Sequence, residues 1–221
     1  MTTETAAPTM TGQGLFHDWV VALSVGEAIG FVPPALAGAT LATAGVADSW
    51  LVVGLTVAGV VEGVAIGVFG ARVLARHLPD VDRVDWVVAT ALAAGLAWFL
   101  GMGGSAVLGA ADDHAALVLV AVVPAWFAGL LAMGYAQWLV LRRVVARASR
   151  WIWVSAGAWL VGVAIPVTAL SVVPNDWPAA GHLAVGVVSA VAMGATVAVL
   201  TGATLVRLVV AAHPGGALDQ G

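Results

Sequence analysis

The chain has 221 residues, 62% of them hydrophobic and 9% charged, with a formal net charge of −4 and no cysteine, and its mean hydropathy is +1.04. A soluble domain carries roughly 25% charged residues, so this composition excludes one and gives an integral membrane protein. The lack of cysteine excludes disulfides, thiolate metal centres, iron–sulfur clusters and cysteine nucleophiles together.

In chain order, the polar stretch at 1–15, "MTTETAAPTMTGQGL", contains no Lys or Arg and so lacks the positive leader of a secretory signal; it reads as a disordered cytoplasmic tail. Apolar runs follow near 18–44, 50–76, 85–108, 115–142, 151–172 and 180–210. Each is long enough to cross about 30 Å of hydrocarbon, which takes about 20 helical residues. The runs are continuously apolar rather than alternating, which argues against a β-barrel. The expected fold is all-α, with six transmembrane helices over residues 16–212 and a short cytoplasmic tail at 213–221.

Charge placement orients the chain. All basic residues are arginines: Arg72, Arg76, Arg83, Arg142, Arg143, Arg147, Arg150 and Arg207. They lie in the second and fourth loops or at the end of the last helix, whereas Asp48, Asp112, Asp113 and Asp176 occupy the opposite side without an arginine. Basic residues stay in the cytoplasm during insertion, so both termini are expected there, in a plasma or inner membrane, with Arg72, Arg76, Arg142, Arg143, Arg147 and Arg150 as anchors. Trp19, Trp86, Trp151 and Trp153 begin helices at the inner interface and Trp50 and Trp177 lie at the outer one, where indoles prefer to sit. Trp98, Trp126, Trp138 and Trp159 lie deeper, as packing or cavity-lining residues.

An internal repeat is also legible. "DWVVA" opens helix 1 at 18–22 and helix 3 at 85–89, and the same offset of 67 carries Gly67, Leu74 and Arg76 onto Gly134, Leu141 and Arg143. A weaker copy follows 64 to 65 positions later, aligning Leu205 and Arg207 with Leu141 and Arg143. The unit is a hairpin of about 65 residues, giving copies at 16–84, 85–149 and 150–212. A unit with an even number of helices keeps its orientation, so the copies are parallel, either closed into a threefold bundle or laid out as an open row.

The decapeptide "GYAQWLVLRR" at 134–143 contains G-x-x-Q-W-x-x-L-R and precedes a helix that begins with Trp151. This arrangement resembles a group of uncharacterised bacterial multi-pass membrane proteins, best over 134–159 and weakly over the flanking hairpins. The resemblance implies membrane residence and no particular chemistry.

Positions where the copies differ are the candidate site. Glu27 aligns with Ala94 and Trp159, and Glu62 aligns with Gly129 and Met193. Both acids fall near mid-membrane, where a charge costs at least about 2.5 to 3.5 kcal/mol, so each must face the bundle interior, pair, or carry a proton. The functional reading is a proton, cation or small-solute site formed by Glu27, Glu62 and Gln137. The structural reading is a pair of protonated acids bonded to backbone carbonyls or to Gln137.

Gly59, Gly63 and Gly67, with Gly70 beyond, have the spacing of a close packing seam, expected between helices 1 and 2. Pro33 and Pro34 interrupt helix 1, while Pro124 and Pro166 read as kinks in helices 4 and 5. No histidine pair has ligand spacing, and Asp112, Asp113, His114, Asp176 and His182 read as a solvated rim rather than a metal site. No catalytic constellation or cofactor motif is present, so an enzyme ranks last. The expectation is a small carrier or channel in the lipid bilayer, with a non-catalytic subunit that binds a membrane partner or a second copy as the alternative. Nucleic-acid binding is excluded in practice, because no extramembrane segment is long enough to fold alone.

Overall fold

A computed structural model describes residues 12–212, residue 175 excepted. Among them the regular structure is wholly helical: α1 (Gly12–Gly30), α2 (Val32–Thr43), α3 (Asp48–His77), α4 (Arg83–Gly109), α5 (Ala115–Leu141), α6 (Arg150–Ser171) and α7 (Ala179–Ala212), with a 3-10 turn at Asp112–His114. Six helical segments are long and apolar enough to span a membrane, α1 and α2 together making the first. This is the architecture of a multi-pass membrane protein. Side chains such as Leu117, Val120, Val167 and Val188 point outward, where hydrocarbon is the compatible solvent.

The first span starts earlier than the sequence suggests. Residues 12–15, expected in the tail, are already helical and Leu15 is buried. Gly12 lies against Val206 of α7, so packing on the last helix extends the first. The rest of that tail and the segment 213–221 lie outside the described residues.

The first span is also broken in two. Pro33 and Pro34 have no N–H to offer the carbonyls of Ile29 and Gly30. Phe31 forms the joint, donating to the Glu27 carbonyl at 2.8 Å and accepting from Ala35 N at 3.0 Å. Pro124 and Pro166, by contrast, sit inside helices that continue past them. At the start of α4, Asp82 caps the helix, its carboxylate accepting from Val84 N at 2.9 Å and Asp85 N at 3.0 Å.

Each span packs on the next, and α7 returns to pack on α1, closing a ring. The core sits at the arginine end. There Trp19, Trp86 and Trp151 meet edge to face, with centroid separations of 6.2, 5.8 and 6.2 Å, beside the fully buried Leu74, Leu141 and Leu205. The three indoles were expected among lipid headgroups, and the structure corrects this: each is only 1% exposed. T-shaped packing of their rings satisfies the aromatic quadrupoles and removes a large apolar area from the interface. Trp50, Trp153 and Trp177 are exposed.

The glycine seam is corrected as well. Gly59 faces Trp98, Gly63 faces Ala91 and Ala94, and Gly67 faces Val87, all on α4, so the seam joins α3 to α4 rather than helices 1 and 2. A Cβ at Gly63 would come within 2.7 Å of Ala91 Cα. Close contact of α1 with α3 depends instead on Gly26 and Gly30 of α1, which face Phe69, Ile66 and the Glu62 backbone. Beyond the break, α2 packs on α3 and barely touches α7. An apolar groove of about 140 Å3 lies between them, lined by residues including Phe31, Val32, Leu36, Leu183 and Val187.

Candidate functional site

Glu27 and Glu62 do come together. A Cβ at Gly30 would lie 3.0 Å from the Glu62 carbonyl oxygen, so only a small residue there lets α1 and α3 approach this closely. The acids are 2% and 3% exposed, and their carboxyls are in hydrogen-bond contact. Trp98 of α4 donates its indole N–H to Glu62 Oε2 at 2.6 Å. The Glu27 side chain lies against Gly194 of α7, and its Oε1 has no hydrogen-bond partner among the described residues.

Neither acid is in an ion pair; the pairs among the described residues involve only Asp18 and Asp85 as the acids. Two bare carboxylates in contact, away from water, would repel strongly and pay two desolvation costs. Chemically, the arrangement can hold a proton or a small cation between four carboxyl oxygens.

Gln137, expected with these acids, belongs to a different cluster. Its Nε2 donates to Thr90 Oγ1 at 3.1 Å, and its Oε1 accepts from Trp151 Nε1 at 2.9 Å. On the other side of the tryptophan triad, Trp19 Nε1 donates to Thr201 Oγ1 at 3.0 Å. Gln137, Thr201 and the three tryptophans line a cavity of about 20 Å3 that also touches Gly70, Ser155 and Trp159. The separation is one of depth as well as direction: the 67-residue offset sets Gln137 level with Gly70, nearer the arginine end than Glu62, and α5 turns it toward Thr90 of α4 and Trp151 of α6, while the acids meet across α1 and α3.

Trp98, Thr90, Ser155 and Thr201 were not singled out as polar partners by the sequence. A signal existed for three of them. Thr90 and Ser155 stand 65 positions apart, and Gln137 and Thr201 stand 64 apart, the same offsets that align the helix ends. Trp98 has no such companion: its bond to Glu62 links residues 36 apart through the α3–α4 contact.

The arginines lie at one end of the bundle. Arg76 pairs with Asp18 at 3.3 Å, and Arg143 pairs with Asp85. Arg72 lies over the Phe69 ring at 5.2 Å and Arg142 over Trp138 at 4.8 Å. Arg147 is exposed, with a left-handed φ of 59°, and exposed Arg150 opens α6. No group of three or more His, Asp or Glu gathers as metal ligands among the described residues. Comparison of the chain with family models, with curated proteins and with solved structures finds no match to any of them.

Proposed function

We propose that this protein is a small membrane carrier or channel in which Glu27 and Glu62 form one proton- or cation-binding site at mid-membrane. The observation that carries the reading is the contact of two buried carboxyls with no counter-charge, one of whose oxygens has no partner. A proton on Glu27 donated to Glu62, which also accepts from Trp98, neutralises half the charge. A monovalent cation displacing that proton would meet the same oxygens. Intramembrane acids are costly enough that proton and ion pathways are where they are usually retained.

Two features of the first span support the reading. Helix α1 ends at Gly30, one turn past Glu27, and Pro33 and Pro34 leave the nearby carbonyls of Ile29 and Gly30 without their helical N–H donors, a setting that favours positive charge. Broken helices of this kind build ion sites at mid-membrane in secondary carriers. Glu27 also lies on the α1–α7 contact against Gly194, so separation of those two helices would open the site. The burial of both acids weighs against the alternative of a polar docking spot for a membrane partner on a lipid-facing helix.

We also infer a threefold hairpin repeat about an axis along the membrane normal, with the arginine end cytoplasmic. The meeting of Trp19, Trp86 and Trp151 supports it, as do the matching pairs Asp18–Arg76 and Asp85–Arg143. In the third copy the acid is replaced by Arg150, opposite Arg207. The duplicated unit would then be a scaffold, and Glu27 and Glu62 its specialisation in one copy.

The test uses protein reconstituted in vesicles containing a pH-sensitive dye, with sodium or potassium gradients imposed. Proton or cation flux by the wild type that is abolished by Glu27→Gln and by Glu62→Gln is the expected result. Flux that persists in the double variant, or is absent from the wild type, overturns the carrier reading.

A further inference from the structure

Two of the three central tryptophans have side-chain acceptors on the neighbouring helix: Trp19 bonds Thr201, and Trp151 bonds Gln137. Trp86 faces Gly70 instead. A Cβ at Gly70 would lie 3.1 Å from Trp86 Nε1, so the glycine stands where the other two indoles meet a hydroxyl or an amide oxygen. The side-chain hydrogen bonds found for Trp19 and Trp151 have no counterpart at Trp86 Nε1 or at Ser155 Oγ among the described residues. Both residues are 1% exposed and both line the central cavity.

An indole N–H without an acceptor in so apolar a setting is unfavourable. The cavity measures about 20 Å3, above the roughly 10 to 15 Å3 needed to hold one water. Its wall offers Trp86 N–H as donor, Ser155 Oγ as donor or acceptor, and Gln137 and Thr201 as further polar groups. A buried water needs two to four such partners to be stable. Nothing charged lines the space.

We infer that the centre of the tryptophan triad is a binding site for one water molecule, which takes the place of the side chain missing at Gly70. It accepts from Trp86 Nε1 and bonds Ser155 Oγ, completing a polar layer across the bundle. This site is separate from the glutamate pair and stands whether or not the protein transports anything.

The experiment is nuclear magnetic resonance of the full chain in nanodiscs with 15N-labelled indoles, the Trp86 signal being assigned by its loss in Trp86→Phe. Should that variant not fold, the Gly70→Ser spectrum assigns it by its shift. The wild type is expected to show a cross-peak between the Trp86 indole proton and water. Gly70→Ser, which supplies a hydroxyl beside the indole, should lose that cross-peak and melt at a higher temperature than Gly70→Ala, which fills the space without an acceptor. Absence of the cross-peak in the folded wild type, or a Gly70→Ala protein as stable as Gly70→Ser, would overturn the inference.

Discussion

Trp98 reaches across from α4 to place its indole nitrogen 2.6 Å from Glu62 Oε2, making a tryptophan the polar contact that ties the carboxyl pair to a third helix. A hydrogen bond to a charged group, such as a Glu62 carboxylate that accepts a hydrogen bond from Glu27, is worth roughly 1.5 to 3 kcal/mol. Trp98→Phe should therefore lower stability by about that amount. In a Glu62→Leu background the same substitution should cost clearly less, so a double-mutant cycle on thermal midpoints reads the bond directly. Equal costs in both backgrounds would mean that Trp98 matters only as packing against Gly59.

Glu27 and Glu62 should carry at least one proton between them in the folded protein. An infrared carbonyl band of a protonated carboxylic acid is expected in the wild type and should vanish in Glu27→Gln/Glu62→Gln. Thermal stability measured from acid to alkaline pH adds a second check. The glutamine forms are expected to be as stable as the wild type or more so, and to lack its pH-dependent transition. If glutamine destabilises the protein at every pH, the acids are structural partners and the carrier reading falls.

Gln137 provides a contrast. Gln137→Leu leaves Trp151 Nε1 without its acceptor and breaks the bond to Thr90, so it should destabilise by roughly 1 to 3 kcal/mol. Flux in vesicles, corrected for folded protein, should stay at the wild-type level. A selective loss of flux would place Gln137 in the pathway after all.

At the α3–α4 seam, Gly63→Val should be among the most damaging single changes, because its side chain would strike Ala91 and Ala94. Overpacking typically costs about 1 to 3 kcal/mol and can cost more where backbones touch. Gly157→Ala is the control: nothing lies within 4 Å of the added carbon, so it should be neutral or slightly stabilising. Detergent melting curves separate the two.

The ion pairs Asp18–Arg76 and Asp85–Arg143 are partly exposed. Such pairs contribute about 0 to 1 kcal/mol and are screened by salt. Asp18→Asn and Asp85→Asn should therefore shift melting only slightly, and less at high ionic strength. A large salt-independent loss would assign them a role in holding the ring together.

The sequence by itself determined the existence and approximate extent of the six spans, because continuous apolar runs of this length leave a helix as the only way to satisfy every backbone group in hydrocarbon. It also marked Glu27 and Glu62, since an acid in such a run stands out by type alone. What it could not determine is which way each helix faces. Apolar residues on all sides suit lipid and core equally, so the periodicity that orients a helix in water is weak here. Tertiary packing decided that Trp19, Trp86 and Trp151 turn inward rather than to the headgroups, and that the Gly59–Gly63–Gly67 seam meets α4. The same packing turned Gln137 toward Thr90 and Trp151 and brought Trp98 to the acids. In each case van der Waals fit and hydrogen-bond satisfaction between helices chose the rotation, and both depend on neighbours that no single run of sequence contains.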